Sequence, residues 1–290
     1  MNISLDKINL LTLNVGFAVH DGDWNWENVQ SPFARLYLVT EGSALIVCQD
    51  EEIILQSGYL YLIPPFKKHT DICTGHFEHY YIHIYEDPSS ECRIFNEFEF
   101  PTKLQMEKLD TSLMERMCEI NPTLVLPQSD PYSYDNSKIL VENIRRNRMR
   151  EISTKMESKG IVLQFLSKFF RTARQKYSLK DNRMQSVMEY IVEHLCENPE
   201  INELASIACM SPDHFIRTFK MTIGETPKQY ISRRLVEQAQ ILLSTSDMSI
   251  KSISEGLGYA DYSYFIRMFK KKTGQTPHQY RELYKWESDK

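Results

Sequence analysis

No stretch of the 290-residue sequence approaches the roughly 18 consecutive apolar residues of a membrane-spanning helix, so no membrane partner is expected. The first residues, MNISLDKINL, lack the order of basic stretch, apolar core and small-residue cleavage site, which argues against a signal peptide. The six cysteines (Cys48, Cys73, Cys92, Cys118, Cys196 and Cys209) include no CxxC pair. Their scatter argues against a disulfide framework or a cysteine zinc site and suits a cytoplasmic protein with reduced thiols. Positive charge is not in excess either. With 34 Lys and Arg against 39 Asp and Glu, the net charge is −5, which by itself counts against a surface coated for nucleic acid. What is present is an ordinary globular composition, 42% apolar and 25% charged, in a chain long enough for two domains.

The first third reads as strands. Arg35-Leu-Tyr-Leu-Val-Thr-Glu-Gly42-Ser-Ala-Leu-Ile-Val47 alternates about a glycine, and Ile53–Leu55, Tyr59–Ile63 and His79–Ile84 come after it at short spacing. Gly42, Gly58 and Pro64-Pro65 supply the turns, so an antiparallel sandwich or barrel is expected. From about residue 106 the apolar period becomes helical. Met106 to Ile120 should stop before Pro122, because a residue preceding proline avoids helical dihedrals. The segment 161–173 carries two apolar rows, Ile161/Phe165/Phe169/Ala173 and Val162/Leu166/Phe170. One row is expected to pack on the barrel. The other (Ile161, Phe165, Phe169) is a candidate homodimer contact, with a wholly intramolecular core as the competing reading. The last 110 residues read as helices joined by short connectors.

An internal repeat lies in that last part. Phe215-Ile-Arg-Thr-Phe-Lys-Met-Thr-Ile-Gly-Glu-Thr-Pro-Lys-Gln-Tyr230 matches Phe265-Ile-Arg-Met-Phe-Lys-Lys-Lys-Thr-Gly-Gln-Thr-Pro-His-Gln-Tyr280 at an offset of 50, identical at 10 of 16 positions. Each copy has the layout of a helix-turn-helix: a short helix with small residues, a turn, a cap at Ser211 or Asp261, and a second helix ended by Gly224 or Gly274. Burying Phe215 and Phe219, or Phe265 and Phe269, points Arg217 and Arg267 outward. Two copies are too few for a solenoid of protein-binding repeats. Residues 181–290 hold 14 Lys and Arg against 15 Asp and Glu, yet 262–281 contains no acid at all. Basic charge is thus gathered on the second helix of each copy and on the start of the next helix, the face that would meet phosphates.

This span resembles the tandem helix-turn-helix domain of the AraC/XylS transcription regulators. The resemblance rests on Leu204-Ala, Arg234-Leu, Ala239, Leu242-Leu243, Ile250, Ile253, Gly258-Tyr-Ala-Asp-Tyr-Ser-Tyr-Phe265 and Phe269-Lys-Lys-Lys-Thr-Gly-Gln-Thr-Pro277. Ser254 stands where the family usually has alanine. The resemblance implies two units joined by one helix, reading successive major-groove segments of double-stranded promoter DNA, with RNA polymerase as a further partner of an activator. Base-edge candidates are Asp213, His214, Ile216 and Arg217, then Tyr262, Ser263, Ile266 and Arg267. Lys220, Lys270, Lys271 and Lys272 are phosphate candidates. For Asp213, complementing the helix dipole without touching a base is an equal alternative.

The N-terminal region resembles the cupin-type sensor barrel of that family through Glu41-Gly42, Glu51, Gly58-Tyr-Leu-Tyr-Leu-Ile-Pro-Pro65 and His69. Metal-binding cupins place two histidines one residue apart on the first motif strand; Leu36-Tyr-Leu-Val39 has none, so no metal and no cofactor are expected. Effector-binding candidates are Arg35, Tyr37, His69, His79, Tyr81 and His83, for a sugar or other polar metabolite. His79, Tyr81 and His83 share a strand face, and Arg35 offers a fork to a carboxylate, phosphate or hydroxyl if it faces inward. The expectation is therefore an α+β protein: an antiparallel cupin-like barrel over 1–104, a helical dimerisation and linker region over 105–180, and an all-α DNA-binding domain over 181–290. No enzyme activity is expected. Two rivals stay open, a metal-dependent cupin enzyme fused to a DNA-binding domain and a ligand-independent DNA-binding protein whose barrel only dimerises.

Overall fold

Strand β3 (Ala34–Cys48) is long enough to serve two layers at once. Its first half lies between β5 (Tyr59–Ile63) and β7 (His76–Glu86), and its second half pairs with β4 (Glu52–Gln56) and β6 (His69–Ile72), all antiparallel. The register against β7 shifts between Val39 and Glu41, next to Gly42. Gly42 has φ +69°, and a Cβ there would lie 1.8 Å from the His76 carbonyl oxygen, so only glycine lets the strand turn between layers. The computed structural model describes residues 5, 8–49, 51–87, 93–135, 137–176 and 182–284. The expected boundary between 180 and 181 falls outside them. The chain separates into one unit over 1–174 and another over 175–290.

In the first unit, β1 (Leu10–Asp21), β2 (Trp26–Val29) and β9 (Lys103–Gln105) complete an eight-stranded sheet. The short elements α1 (Ile94–Glu97) and β8 (Phe98–Glu99) lie between β7 and β9, outside that sheet. The main path of the sheet runs β1-β7-β3-β5-β9, while β2 pairs only with β6. The strands at the two ends of that path, β1 and β9, are not paired with each other among the described residues. The expected closed barrel is thereby corrected to an antiparallel sheet folded about β3. Helices replace closure: α2 (Lys108–Glu119) and α5 (Ile152–Phe170) cover one face. Period-2 alternation sends Leu36, Leu38, Leu60, Leu62, Ile82 and Ile84 to that face. The alternate residues, among them Tyr37, Val39, Tyr61, Ile63, Phe77 and Tyr81, turn to the inner side and form a second cluster with Trp24 and Ile46.

Helix α5 settles the choice between its two apolar rows. Ile161, Phe165 and Phe169 are buried in the same cluster as Val162, Leu166, Met114 and Met117. The row expected to meet a partner chain is therefore interior, because the covered sheet face is wide enough to take both rows. Between β9 and α5 the chain also forms α3 (Pro131–Tyr134) and α4 (Ser137–Met149). Pro131 at the first turn and the Asp130 carboxylate, which accepts from the Tyr132 N–H, start α3.

The second unit is helical: α6 (Asn182–Glu193), α7 (Ile201–Ile207), α8 (Pro212–Ile223), α9 (Pro227–Thr245), α10 (Ile250–Gly256), α11 (Tyr262–Thr273) and α12 (Pro277–Tyr284). Phe215, Phe219, Phe265 and Phe269 are fully buried in one core with Leu204, Leu243 and Ile253. Gly224 and Gly274 end α8 and α11 at φ +87° and +81°, donating their N–H to the Lys220 and Lys270 carbonyls. Thr226 with Gln229, and Thr276 with Gln279, then cap α9 and α12 reciprocally.

Since Phe165 and Phe169 are core residues, Phe165→Ala should cost about 3–5 kcal/mol of stability. A urea titration should show the loss of midpoint. A folded monomer with an unchanged midpoint would mean instead that the row faces a partner chain.

Candidate functional site

The second helix of each repeat carries the same wedge. With two phenylalanines buried beneath, the helical period places Arg217 at the centre of the opposite face of α8 and Arg267 at the centre of that of α11. Asp213, His214, Lys220, Tyr262, Ser263, Lys270, Lys271 and Lys272 are all exposed. Ile216 and Ile266 differ: both are half-buried and lean on the core, so at most an edge of each is available. Two residues on this face escaped the sequence reading. Met221 is 85% exposed at the end of α8, and Tyr264 is 47% exposed on α11, beside the Tyr259 ring. The 50-residue offset from His214 was the signal that would have found Tyr264.

The two helices are not equivalent at their first turns. Asp261 caps α11 by accepting from the N–H groups of Ser263 and Tyr264 at 2.8 and 3.1 Å, and lies 3.8 Å from the Arg267 guanidinium. Ser211, expected to cap α8, makes no such bond, and Asp213 occupies the first turn instead. Other basic residues near the helices are committed elsewhere. Arg233 bonds Glu225 and Glu237, while Arg234 and Arg281 are buried. The cationic face is thus narrower than the sequence count suggests, confined to Arg217, Lys220, Arg267 and Lys270 to Lys272, with Lys228 and His278 at the starts of the next helices.

In the first unit the inner face of the sheet brings together every effector candidate. The β3–β7 register sets Arg35 against His83, Tyr37 against Tyr81, and Val39 against His79. Arg35 is only 2% exposed. Its Nη2 donates to Ser31 Oγ at 2.5 Å and to Asp135 Oδ2 at 3.1 Å, and Ser31 Oγ also donates to that carboxylate. His69 Nδ1 meets the Lys67 carbonyl at 2.7 Å, and its Nε2 lies 3.6 Å from Asp71 Oδ1. His79 stacks on Phe77 and meets Tyr37 edge-on; His83 lies between Phe33 and Tyr134. Tyr81 Oη accepts from the Leu126 N–H at 2.9 Å. His76, at the start of β7, sits on the exposed rim and bonds Asp21 and Glu78. His20, Trp24, Ser31, Asp71, Tyr134 and Asp135 were missed, because they reach the interior from other elements.

Burial governs the charges here. It pushes His69 and His79 down to about 3 and His83 well below the usual imidazole value, with Arg35 adding to the shift at His69 and His83. It pushes Asp71 up to about 7 and Asp135 upward, in both cases against the opposing pull of Arg35. Burial works against the Arg35 cation, but Tyr134, Asp135, Tyr37 and Asp71 together outweigh it, so the guanidinium stays charged. The interior is therefore one fixed cation among neutral imidazoles, phenols and a few shared acids. Among the described residues one group, Glu41, His76 and Glu78, brings three metal-type ligand atoms within 4.8 Å of one another, on the outer rim and not at this site.

Known proteins share parts of this architecture. The helix-turn-helix domain family matches residues 204–283, the span that holds both α8 and α11. The arabinose operon regulatory protein of Escherichia coli is 34% identical over 85 residues, 29% of each chain. The XylDLEGF operon transcriptional activator of Pseudomonas putida is 31% identical over 83 residues, 29% of this chain and 26% of that one. The chain thus matches less than a third of either relative's length. Among solved structures, ToxT from Vibrio cholerae is similar over 93% of this chain and 98% of its own, with a TM-score of 0.50 and 13% identity, a likeness of fold alone. Among the described residues no helix is long and apolar enough to cross a membrane.

The buried histidines make stability fall with acidification. Their folded values lie below the unfolded value, so the stability they allow is present above about pH 6.5 and is lost as pH falls, when the unfolded chain takes up protons the folded chain refuses. Asp71 and Asp135, shifted upward, act in the opposite sense over the acid range, but three histidines outnumber them. His79→Phe, which keeps the aromatic stack, should remove about 2 kcal/mol of the loss between pH 7 and pH 5. Denaturant melts of both proteins at the two pH values test this; an equal pH slope would show that His79 is not held neutral.

Proposed function

We propose, from the premise that residues 204–283 are a helix-turn-helix domain of the AraC/XylS type, that this protein is a sequence-specific transcription regulator. Its C-terminal unit would bind double-stranded promoter DNA through two helix-turn-helix units, α7–α8 and α10–α11. One observation carries the reading. Two repeat-related helices bury a phenylalanine pair and hold an exposed arginine with flanking lysines on the opposite face. Arginine can engage guanine O6 and N7 together, while lysines a turn later suit phosphates. Asp213, His214, Arg217, Tyr262, Ser263 and Arg267 are the base-edge candidates, with the exposed edges of Ile216 and Ile266 beside them. Lys220 and Lys270 to Lys272 are assigned to phosphates.

The inner face of the N-terminal unit, with Arg35, Tyr37, His69, His79, Tyr81 and His83, is the proposed effector site of a cupin-like sensor domain. Effector binding would bias which DNA-bound arrangement is favoured, and an activator would in turn engage RNA polymerase. A cytoplasmic homodimer without enzyme activity remains part of this reading. Because Ile161, Phe165 and Phe169 are core, a second copy has to be met by another surface.

The test uses sites selected from a random duplex library and a salt series. Arg217→Ala and Arg267→Ala should each weaken the selected site by about 1–3 kcal/mol and relax preference at one position. Lys271→Ala should weaken selected and random duplexes alike and lower the salt slope by about one. If the arginine variants lose equally on both duplexes, the base-reading assignment fails.

A further inference from the structure

Arg35 has a partner that the strand pattern does not supply. Asp135 is not on the sheet; it is the residue that ends α3, in the connection between α2 and α4. That connection is fastened to the interior at three points. The Leu126 N–H donates to Tyr81 Oη, the Tyr134 ring lies against His83 at 5.2 Å between centroids, and Asp135 takes Arg35 and Ser31. Each of these points involves one of the proposed effector residues: Tyr81, His83 or Arg35.

The polar groups around this contact are incompletely matched. Arg35 Nε, Asp135 Oδ1, His69 Nε2, Asp71 Oδ1 and His79 Nδ1 are all buried without a hydrogen-bond partner. A buried unsatisfied polar atom costs about 1–3 kcal/mol; His69 Nε2 and Asp71 Oδ1 at least face each other at 3.6 Å, but the three left on Arg35, Asp135 and His79 are poorly explained by a purely structural ion pair. The guanidinium offers two edges but receives one carboxylate oxygen from Asp135. A ligand carboxylate with no tether to α3 is able to take Nε and Nη2 together along one edge, the stronger bidentate geometry. Exchange of one carboxylate for another leaves the buried charge unchanged, so it avoids the penalty of uncovering Arg35.

We propose that Asp135 is a tethered stand-in for the carboxylate of an acidic effector, which displaces it from Arg35 and so releases the 126–135 connection. The inference rests on the interior being the effector site and names its ligand class and its regulation. Displacement is required because Tyr134 and Asp135 occupy the ground beside Arg35. Release is passed directly to α4, which begins two residues after Asp135 and is anchored to β1 by the Asn147 amide donating to the Thr12 carbonyl. Without the effector the tethered acid holds the site, so the apparent affinity is reduced by the fraction of molecules in which Asp135 is seated.

The experiment uses the full chain, with sodium benzoate as the probe, benzamide as its neutral isostere, and sodium chloride at matched ionic strength as the control. Asp135→Asn removes the competing charge, and benzoate should bind it about tenfold more tightly than wild type, read by calorimetry and by thermal shift. Benzamide should show no such gain, and Arg35→Met/Asp135→Asn should lose it. In wild type, benzoate should speed amide exchange over residues 126–135 while slowing it in β3 and β7, an arm that stands even where the variants fold poorly. Equal benzoate binding by Asp135→Asn and wild type, or exchange over 126–135 that slows with benzoate, overturns the displacement. Neutral sugars that protect β3 and β7 where benzoate does not would overturn it and keep the effector reading. No effect of any probe on the interior strands would overturn both.

Discussion

Burial at a fixed period is the constraint on which both candidate sites depend. In β3 the period is two, and packing Leu36 and Leu38 under α2 and α5 forces Arg35 and Tyr37 to the inner side. In α8 and α11 the period is that of the helix, and burying two phenylalanines forces an arginine to solvent. The polar groups are thus aimed by the apolar ones. Neither site needs a specialised backbone beyond Gly42, where β3 turns from one layer to the next, and the glycine caps that end the two exposed helices.

The two sites use charge in opposite ways. On the helices, arginine and lysine are exposed, and their worth depends on what they meet and on salt screening. In the sheet interior, one guanidinium is held in a low-dielectric setting where its charge is permanent and its partner matters. The same overall composition, slightly acidic, serves both. Acidic residues elsewhere in the helical unit, with Glu225 and Glu237 neutralising Arg233, leave the cationic surface confined to a few positions.

Much of this was legible from residue order. The strand alternation put Arg35, Tyr37, His79, Tyr81 and His83 on faces that the register then brought together, and the repeat aligned Arg217 with Arg267. Whether the barrel closes was not legible, because strand spacing shows how many strands there are and not whether the outermost two meet. Nor was the fate of the Ile161/Phe165/Phe169 row. An apolar row looks alike whether it meets a sheet of the same chain or a second copy.

By itself the order of residues determined which side chains each local element buries, since helix and strand periods are properties of the backbone. That was enough for the repeat, its glycine caps and the outward arginines. Only the tertiary structure decided which elements share an interior. Asp135 lies 100 positions from Arg35, and Asp71 and His69 arrive on another strand. No local rule links such residues, because their meeting depends on how the whole sheet folds about β3.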